Sequence, residues 1–335
     1  MILVTGGTGL VGAHLLYHLT LNDEKIRAIY RDKKSIESVK KVFSFYTDEV
    51  ENQFSKIEWF HADITDIPLM IPAFINVKKV YHCAALVSFN PKDYLEMRKV
   101  NIHGTAIVVN LSIDEKIDKL CFVGSIASVG NAVNGNLITE ENEWNKETDN
   151  SGYSITKFGA EMEVWRAGQE GIKVVIVNPG VILGSGFWQQ GSGKLFSKIS
   201  SGFNYFTEGV TGFVGVKDVV KAMILLMNSN VNNERFILVS ENRSFKEIFF
   251  SIADFLKKER PAKRIKKWQT AIFWRIAWVF SKLTGKEPLL TKYSAKSAHS
   301  KSFYSSEKIK KTIGFEFENV KRVIKEACKN FNSSQ

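Results

Sequence analysis

Tyr153 and Lys157 stand four residues apart in a stretch of helical pattern, so their side chains share one face. A phenol titrates at about 10 and is a poor base at neutral pH. A neighbouring ammonium stabilises the phenolate and lowers that value. Such a pair is suited to passing a proton to or from a carbonyl or alcohol oxygen while a hydride moves. The spacing alone decides little, because Tyr-x-x-x-Lys occurs three times, at Tyr30/Lys34, Tyr153/Lys157 and Tyr304/Lys308. Only Tyr153 follows a strand-end serine at a suitable distance. That serine is Ser125, after Leu120-Cys-Phe-Val-Gly124, and its hydroxyl can orient the reacting oxygen by a hydrogen bond.

A hydride needs a carrier, and the first residues offer a place for one. Thr5-Gly6-Gly7-Thr8-Gly9-Leu10-Val11-Gly12 contains G-x-G-x-x-G from Gly7 to Gly12, overlapping Gly6-x-x-Gly9-x-x-Gly12. A dinucleotide's diphosphate needs backbone N–H groups aimed at it from a helix N-terminus, with no side chain in the way. The loop lies between a predicted strand and a predicted helix, the context that gives the motif meaning. The plainer alternative is a tight glycine turn without a ligand. The second strand ends at Arg31 and not at an acid. A carboxylate there would bind the ribose 2′-OH of NAD, whereas an arginine fits the 2′-phosphate of NADP. NADP is therefore the expected cofactor. Asp32 keeps NAD as the second choice, and a solvated strand-end charge is the bland reading of Arg31. Asp63 and Ile64 follow the third strand and are placed to cap the adenine pocket.

Positioning these groups requires a particular set of elements. Ile2–Thr5, Ile26–Tyr30, Ile57–His61, Val80–Cys83, Leu120–Val123, Val174–Asn178 and Arg235–Val239 read as strands, with helical stretches between the first six. That alternation predicts parallel strands with right-handed crossover helices on both faces, a doubly wound α/β sheet. In such a sheet ligands sit beyond the carboxyl ends of the strands, where the glycine loop and Ser125 both fall. Leu10–Leu21 and Val216–Met227 read as helices, the latter with Asp218 in its first turn, where a carboxylate suits the dipole. From residue 241 the pattern is helical and basic.

The 335 residues are 44% hydrophobic and 24% charged, which excludes wholesale disorder. The net charge of +11 is lopsided: residues 251–335 hold 20 Lys+Arg against 7 Asp+Glu, and the rest is nearly balanced. Cys83, Cys121 and Cys328 are scattered, so no disulfide framework and no metal site is expected. No charged stretch followed by an apolar run opens the chain, and Trp268–Leu283 is interrupted by Arg275 and Lys282, so a cytoplasmic location is expected. Lys257–Lys267 runs into an aromatic segment with Trp268, Phe273, Trp274, Trp278 and Phe280. Its plainer reading is a helix whose aromatics pack inward behind a solvated lysine-rich connector. The second reading is peripheral membrane contact through residues 257–283. Nucleic acid is not an expected partner, because no binding module is present.

The sequence resembles the extended short-chain dehydrogenase/reductase superfamily, the NAD-dependent epimerase/dehydratase group. The matching pieces are residues 5–12, Ala-Asp-Ile-Thr-Asp (62–66), His-Cys-Ala-Ala (82–85), Val-Asn-Ile-His-Gly-Thr (100–105), Gly-Ser-Ile-Ala-Ser-Val-Gly (124–130), Tyr153-x-x-x-Lys157 and Asn-Pro-Gly-Val-Ile-Leu-Gly (178–184). They cover about residues 1–240 in the superfamily's order. The resemblance implies a Rossmann-type domain over residues 1–180, with 212–240 returning to it. A smaller, mostly helical C-terminal substrate domain would comprise 181–211 and 241–335. It implies Tyr153 as general acid/base, Lys157 as activator and ribose ligand, Ser125 as substrate polariser, and Asn101 as support, through a water, for the helix carrying Lys157. The alternative for Asn101 is a plain helix-interior hydrogen bond. Ala84, Ala85, Leu86, Pro179 and Val181 join the cofactor-binding residues by the same resemblance, and Ser88, Phe89 and Phe187 join Ser125 as substrate contacts. It also implies a homodimer through Asp93–Ile113 and Tyr153–Gly168.

Departures narrow the branch. Sugar-nucleotide dehydratases of this superfamily carry Thr-Asp-Glu where this chain has Ser125-Ile126-Ala127, so the acid and base for water elimination are missing. After Gly184 comes Ser-Gly-Phe-Trp-Gln-Gln, without the arginine a sugar nucleotide would need, and Phe203, Tyr205 and Phe206 follow. These suit an apolar small-molecule substrate, or else pack a second core. The segment Ile26–Asp32 resembles the NADP-binding strand end of dihydroflavonol-reductase-like members. The expected activity is NADPH-dependent carbonyl reduction. An NAD-dependent nucleotide-sugar epimerase and a catalytically silent NADP-sensing regulator are the alternatives.

Overall fold

The structure is a computed structural model and describes residues 1–132, 137–284 and 290–334. Its strands in chain order are β1 Ile2–Thr5, β2 Ile26–Tyr30, β3 Ile57–His61, β4 Lys79–His82, β5 Lys119–Val123, β6 Lys173–Pro179, β7 Val181–Leu183, β8 Tyr205–Phe206, β9 Val210–Gly215, β10 Glu234–Leu238, β11 Glu241–Ser244 and β12 Lys263–Arg264. Seven of them form one parallel sheet in the order β10-β6-β5-β4-β1-β2-β3. The central strands are buried on both faces, as continuous Val/Ile/Leu runs require. One apolar cluster, with Leu15, Leu16, Phe43 and Met223, fills one side of the sheet, and another, with Phe74, Val108, Ala160 and Val164, fills the other.

Register aligns the carboxyl ends. Thr5 pairs with His82, His82 with Phe122, and Phe122 with Ile176. The glycine loop, the segment after β4 and the segment after β5 therefore leave the sheet side by side. Chain order reverses about β1, which has β2 on one side and β4 on the other, and this opens a crevice at that edge.

The C-terminal region is helical as expected, with helices Phe245–Leu256, Lys267–Thr284, Lys292–Ser297, Glu307–Ile313 and Val320–Asn332. Two small sheets, β11-β9-β7 and β12-β8, were not legible in the sequence. Every residue of β11 is half-buried, so it lacks the alternation that marks a strand. Phe203 packs on Phe249, and Phe206 on Phe250. Phe203 and Phe206 therefore pack among other rings of the C-terminal region, whereas Tyr205 is exposed.

One expectation is corrected. The aromatics of Lys267–Thr284 do not pack inward: Trp268, Phe273, Trp278 and Phe280 are all exposed, and Trp274 alone is half-buried. The inward stripe is Thr270, Trp274, Ala277 and Ser281, mostly small and polar, so the protein side of the helix has little room for rings. The side chain of Leu283 lies outside the described residues. Among the described residues no helix is long and apolar enough to cross a membrane.

Candidate active site

Each glycine of the Gly6-x-x-Gly9-x-x-Gly12 frame has a separate job. Gly6 adopts φ +68°, in the left-handed region, and a Cβ there would lie 2.5 Å from the Ala84 nitrogen. A Cβ on Gly12 would lie 2.2 Å from the Gly6 carbonyl oxygen, so helix Leu10–Leu19 can cross its own strand closely only without one. At Gly9 the sole neighbour is the Gly6 oxygen at 3.5 Å, and the space is otherwise open. Gly9 caps a helix with no side-chain cap and no acid in its first turn. The N–H groups of Leu10, Val11 and Gly12 lack helical partners by geometry. An unblocked, uncapped helix start beside Thr8 fits the diphosphate of a dinucleotide.

Arg31, at the end of β2, is 65% exposed at its side chain and stands 3.7 Å from Asp63 after β3. Burial raises the Asp63 carboxyl, but hydrogen bonds from Thr65 and the charges of Arg31 and Lys99 outweigh it and leave the group below its ordinary value. Asp32 sits in a local turn, its carboxylate accepting from the Lys34 nitrogen at 2.9 Å. Ile64 is buried against Gly104, so only its backbone is left to face a ligand. Ala84 donates to Thr5 Oγ1, Ala85 is exposed, and Pro179 and Val181 lie at the end of β6 and the start of β7.

Ser125 begins a turn after β5, and its Oγ accepts from the Ala127 nitrogen at 3.1 Å. Its side chain stands close enough to that of Tyr153, in the helix Gly152–Gln169, to lower the phenol's pKa. The two groups singled out from the sequence therefore meet. The charge logic differs from the expectation. Burial pushes the Tyr153 phenol above its ordinary value, and Ser125 recovers part of that rise. The Lys157 ammonium is spent elsewhere: Nζ donates to the Val123 carbonyl at 2.7 Å and sits 4.4 Å over the Phe122 ring. Lys157 is 2% exposed, and burial, only partly offset by Glu161 and Cys83, brings its pKa down to about 8. The phenol therefore stays protonated at neutral pH.

Asn101 lies in a π-helical stretch, Arg98–His103, an irregularity that often marks a functional position. Its amide accepts from the Leu86 nitrogen at 2.7 Å and donates to the Leu86 oxygen at 2.9 Å and to Thr156 Oγ1 at 3.1 Å. The link to the Lys157 helix is direct, through Thr156. Phe89 packs edge-on against Tyr153 with ring centroids 5.7 Å apart and is itself exposed. Ser88 is tied to Asp93 by its hydroxyl at 2.6 Å. Phe187 packs on the cluster that holds Leu15 and Leu16 and, among the described residues, makes no ring contact with Tyr153.

Sequence reasoning missed the support behind these groups. Glu161, fully buried, accepts from Asn178 at 2.8 Å and lies 2.7 Å from the Ser128 hydroxyl. It pairs with Arg235 at 3.1 Å. Asn178 also donates to the Ser125 carbonyl at 3.1 Å. The available signal was Glu161 falling one helical turn after Lys157, on the same inward face. His82 was missed too: its ring nitrogens lie 2.6 Å from Thr5 Oγ1 and 2.9 Å from Thr105 Oγ1.

A parallel sheet in this order, with a glycine loop and Ser125, Tyr153 and Lys157 gathered at its carboxyl edge, defines an enzyme of the extended short-chain dehydrogenase/reductase class. The chain belongs to the NAD-binding family described as male sterility protein, which matches residues 4–237. It is similar to sterol demethylase protein B of Methylococcus capsulatus, 27% identical over 77% of this chain and 75% of that protein. It is similar also to anthocyanidin reductase of Arabidopsis thaliana, 25% identical over 77% of this chain and 80% of that one. Among solved structures, UDP-glucose 4-epimerase of Thermotoga maritima superposes with a TM-score of 0.77 at 19% identity over 99% of both chains.

Proposed function

We propose that the protein reduces a carbonyl on a fairly apolar small molecule with NADPH. The observation that carries this reading is the Tyr153 phenol, protonated at neutral pH, with the Ser125 hydroxyl close enough to act on it and the exposed Phe89 ring beside it. When bound, the nicotinamide dinucleotide supplies the hydride. The uncapped helix start at Gly9–Gly12 holds its diphosphate, and Arg31 meets the 2′-phosphate. Ser125 orients the carbonyl oxygen, and Tyr153 gives that oxygen its proton as the hydride arrives at carbon. Lys157, with a pKa of about 8, is mostly cationic at neutral pH, and with Nζ held on the Val123 carbonyl its part is to meet the dinucleotide's ribose and not to pair with the phenol. Asn101 acts as a positioning residue through Thr156. Residues 1–180 with 212–240 serve the dinucleotide, and 181–211 with 241–335 the substrate. A separate apolar cluster around Phe196, Ile248, Ile252 and Ile324 supports that division.

Tyr153→Phe tests the reading. Dinucleotide binding, followed by NADPH fluorescence, should survive, while turnover on a panel of apolar aldehydes and ketones should fall by roughly 10²–10⁴-fold. Unchanged turnover removes Tyr153 from the chemistry. Conversion of a sugar nucleotide without net use of cofactor points to an epimerase. Tight NADPH binding with no turnover on any carbonyl points to a regulator.

A further inference from the structure

The helix Lys267–Thr284 turns its apolar side to solvent. With Thr270, Trp274, Ala277 and Ser281 inward, a rotation of about 100° per residue puts Trp268, Ile272, Ile276 and Val279 on the opposite side, continued by Phe273 and Phe280. Their exposures run from 46% to 61%. Monomers rarely leave so many large side chains contiguous and uncovered.

The charge around this face has one sign. Residues 260–284 contain no Asp or Glu. Lys266 and Lys267 open the helix, and Arg275 and Lys282 lie along one edge of the apolar stripe. Among the described residues none of these four has a carboxylate partner. Arg275 lies 4.6 Å over the Trp274 ring and Lys282 4.5 Å over Trp278, so each cation is held beside an aromatic ring at the edge of the stripe. Tryptophans and cations rimming an apolar stripe match the boundary between acyl chains and anionic headgroups. A complementary protein groove would have to supply acids along that edge and at the helix start, whereas an anionic lipid surface supplies them everywhere.

The platform is anchored close to the reaction. Lys292–Ser297 packs against this helix, and its Lys292 and Lys296 bridge Asp149 at 3.4 and 3.3 Å, four residues before Tyr153. Thr270 Oγ1 lies 2.9 Å from His299 Nε2, which fastens the inward side.

We propose that Lys267–Thr284, with the cationic residues that open it, seats the protein on an anionic membrane surface, lying in the headgroup plane. This stands independently of the reductase reading, because it uses none of the catalytic groups.

The experiment is co-sedimentation of the full chain with phosphatidylcholine vesicles, with and without phosphatidylserine, at low and high salt. The protein should pellet with the phosphatidylserine vesicles and be released by salt. Ile272→Glu/Ile276→Glu should abolish pelleting. Lys266→Gln/Lys267→Gln should weaken it by roughly fivefold per cation. Both variants should bind NADPH like wild type, which shows that they fold. Absence of pelleting with either vesicle overturns the proposal, as does pelleting that the Ile272/Ile276 variant retains. Self-association in light scattering without lipid, abolished by the same two glutamates while vesicles fail to bind, overturns it in favour of a second copy of the chain.

Discussion

A single charge, that of Arg31, is proposed to separate the two dinucleotides. NADP carries a dianionic 2′-phosphate where NAD carries a hydroxyl, and a guanidinium meets phosphate with charge-assisted hydrogen bonds. The Arg31 side chain is exposed and loosely held, 3.7 Å from Asp63, so it can swing to a ligand at little cost. Asp32, the carboxylate that could favour NAD, accepts from the Lys34 backbone through one oxygen. Fluorescence titration should therefore find NADPH bound more tightly than NADH, and Arg31→Ala should erase the difference, a loss of about tenfold or more. Equal wild-type affinities for the two would remove the NADP assignment while leaving the Tyr153 chemistry untouched.

At the scale of elements, the junction of β1 with the helix Leu10–Leu19 distinguishes a folding glycine from a binding glycine. Gly12→Ala drives a methyl into the Gly6 carbonyl, a backbone atom that cannot step aside. It should lower stability by about 1–3 kcal/mol, read as a fall in Tm. Gly9→Ala meets only one atom at ordinary contact distance. It should leave Tm unchanged and weaken NADPH binding, because the methyl occupies the approach of the diphosphate. Loss of stability in both variants, with binding lost only in proportion, would mean that Gly9 serves the turn alone. This junction was legible from the chain because local rules govern it: three apolar residues and a threonine, a glycine loop and a helical period. The same holds for Val216–Met227, recovered residue for residue. The pairing of Ser125 with Tyr153 was legible because strand-end position and helix phase are both sequence properties. What stayed hidden depends on distant partners. The orientation of Lys267–Thr284 is such a case, since an all-round aromatic helix does not say which side its neighbours will cover. The direction of the Tyr153 shift is another, since burial is a property of the packed molecule.

Across the whole molecule, acid should act through His82, which links the core of the sheet to the site. Thr5 Oγ1 accepts from the Ala84 nitrogen, and Thr105 Oγ1 donates to the Asn101 carbonyl at 2.6 Å. Since the Thr105 proton is committed to Asn101, Nε2–H donates to Thr105; in the neutral ring Nδ1 then accepts from Thr5, and both nitrogens are satisfied. Burial, and then the charge of Lys157, lower its pKa to about 3 from the ordinary 6.5. Between those values the unfolded chain binds a proton that the folded one refuses. The His82 contribution is thus full above pH 6.5 and declines as the pH falls towards 3, by up to about 1.4 kcal/mol per unit. His14, lowered to about 4 chiefly by burial, acts with the same sign. Asp218, raised by burial to about 6, and Glu140, also raised, act with the opposite sign, since their folded forms take up protons first. The net slope of the wild type is therefore a balance, and a comparison with His82→Gln isolates the histidine. The variant should be less stable at pH 7.5, having lost the bridge between Thr5 and Thr105. Urea unfolding should show its deficit shrinking steadily from pH 6.5 to pH 4.5, because it no longer carries the acid-sensitive ring. Stability curves that stay parallel over that window would show that His82 is protonated in the fold, and that the bridge from β1 through Thr105 to Asn101 does not hold it neutral.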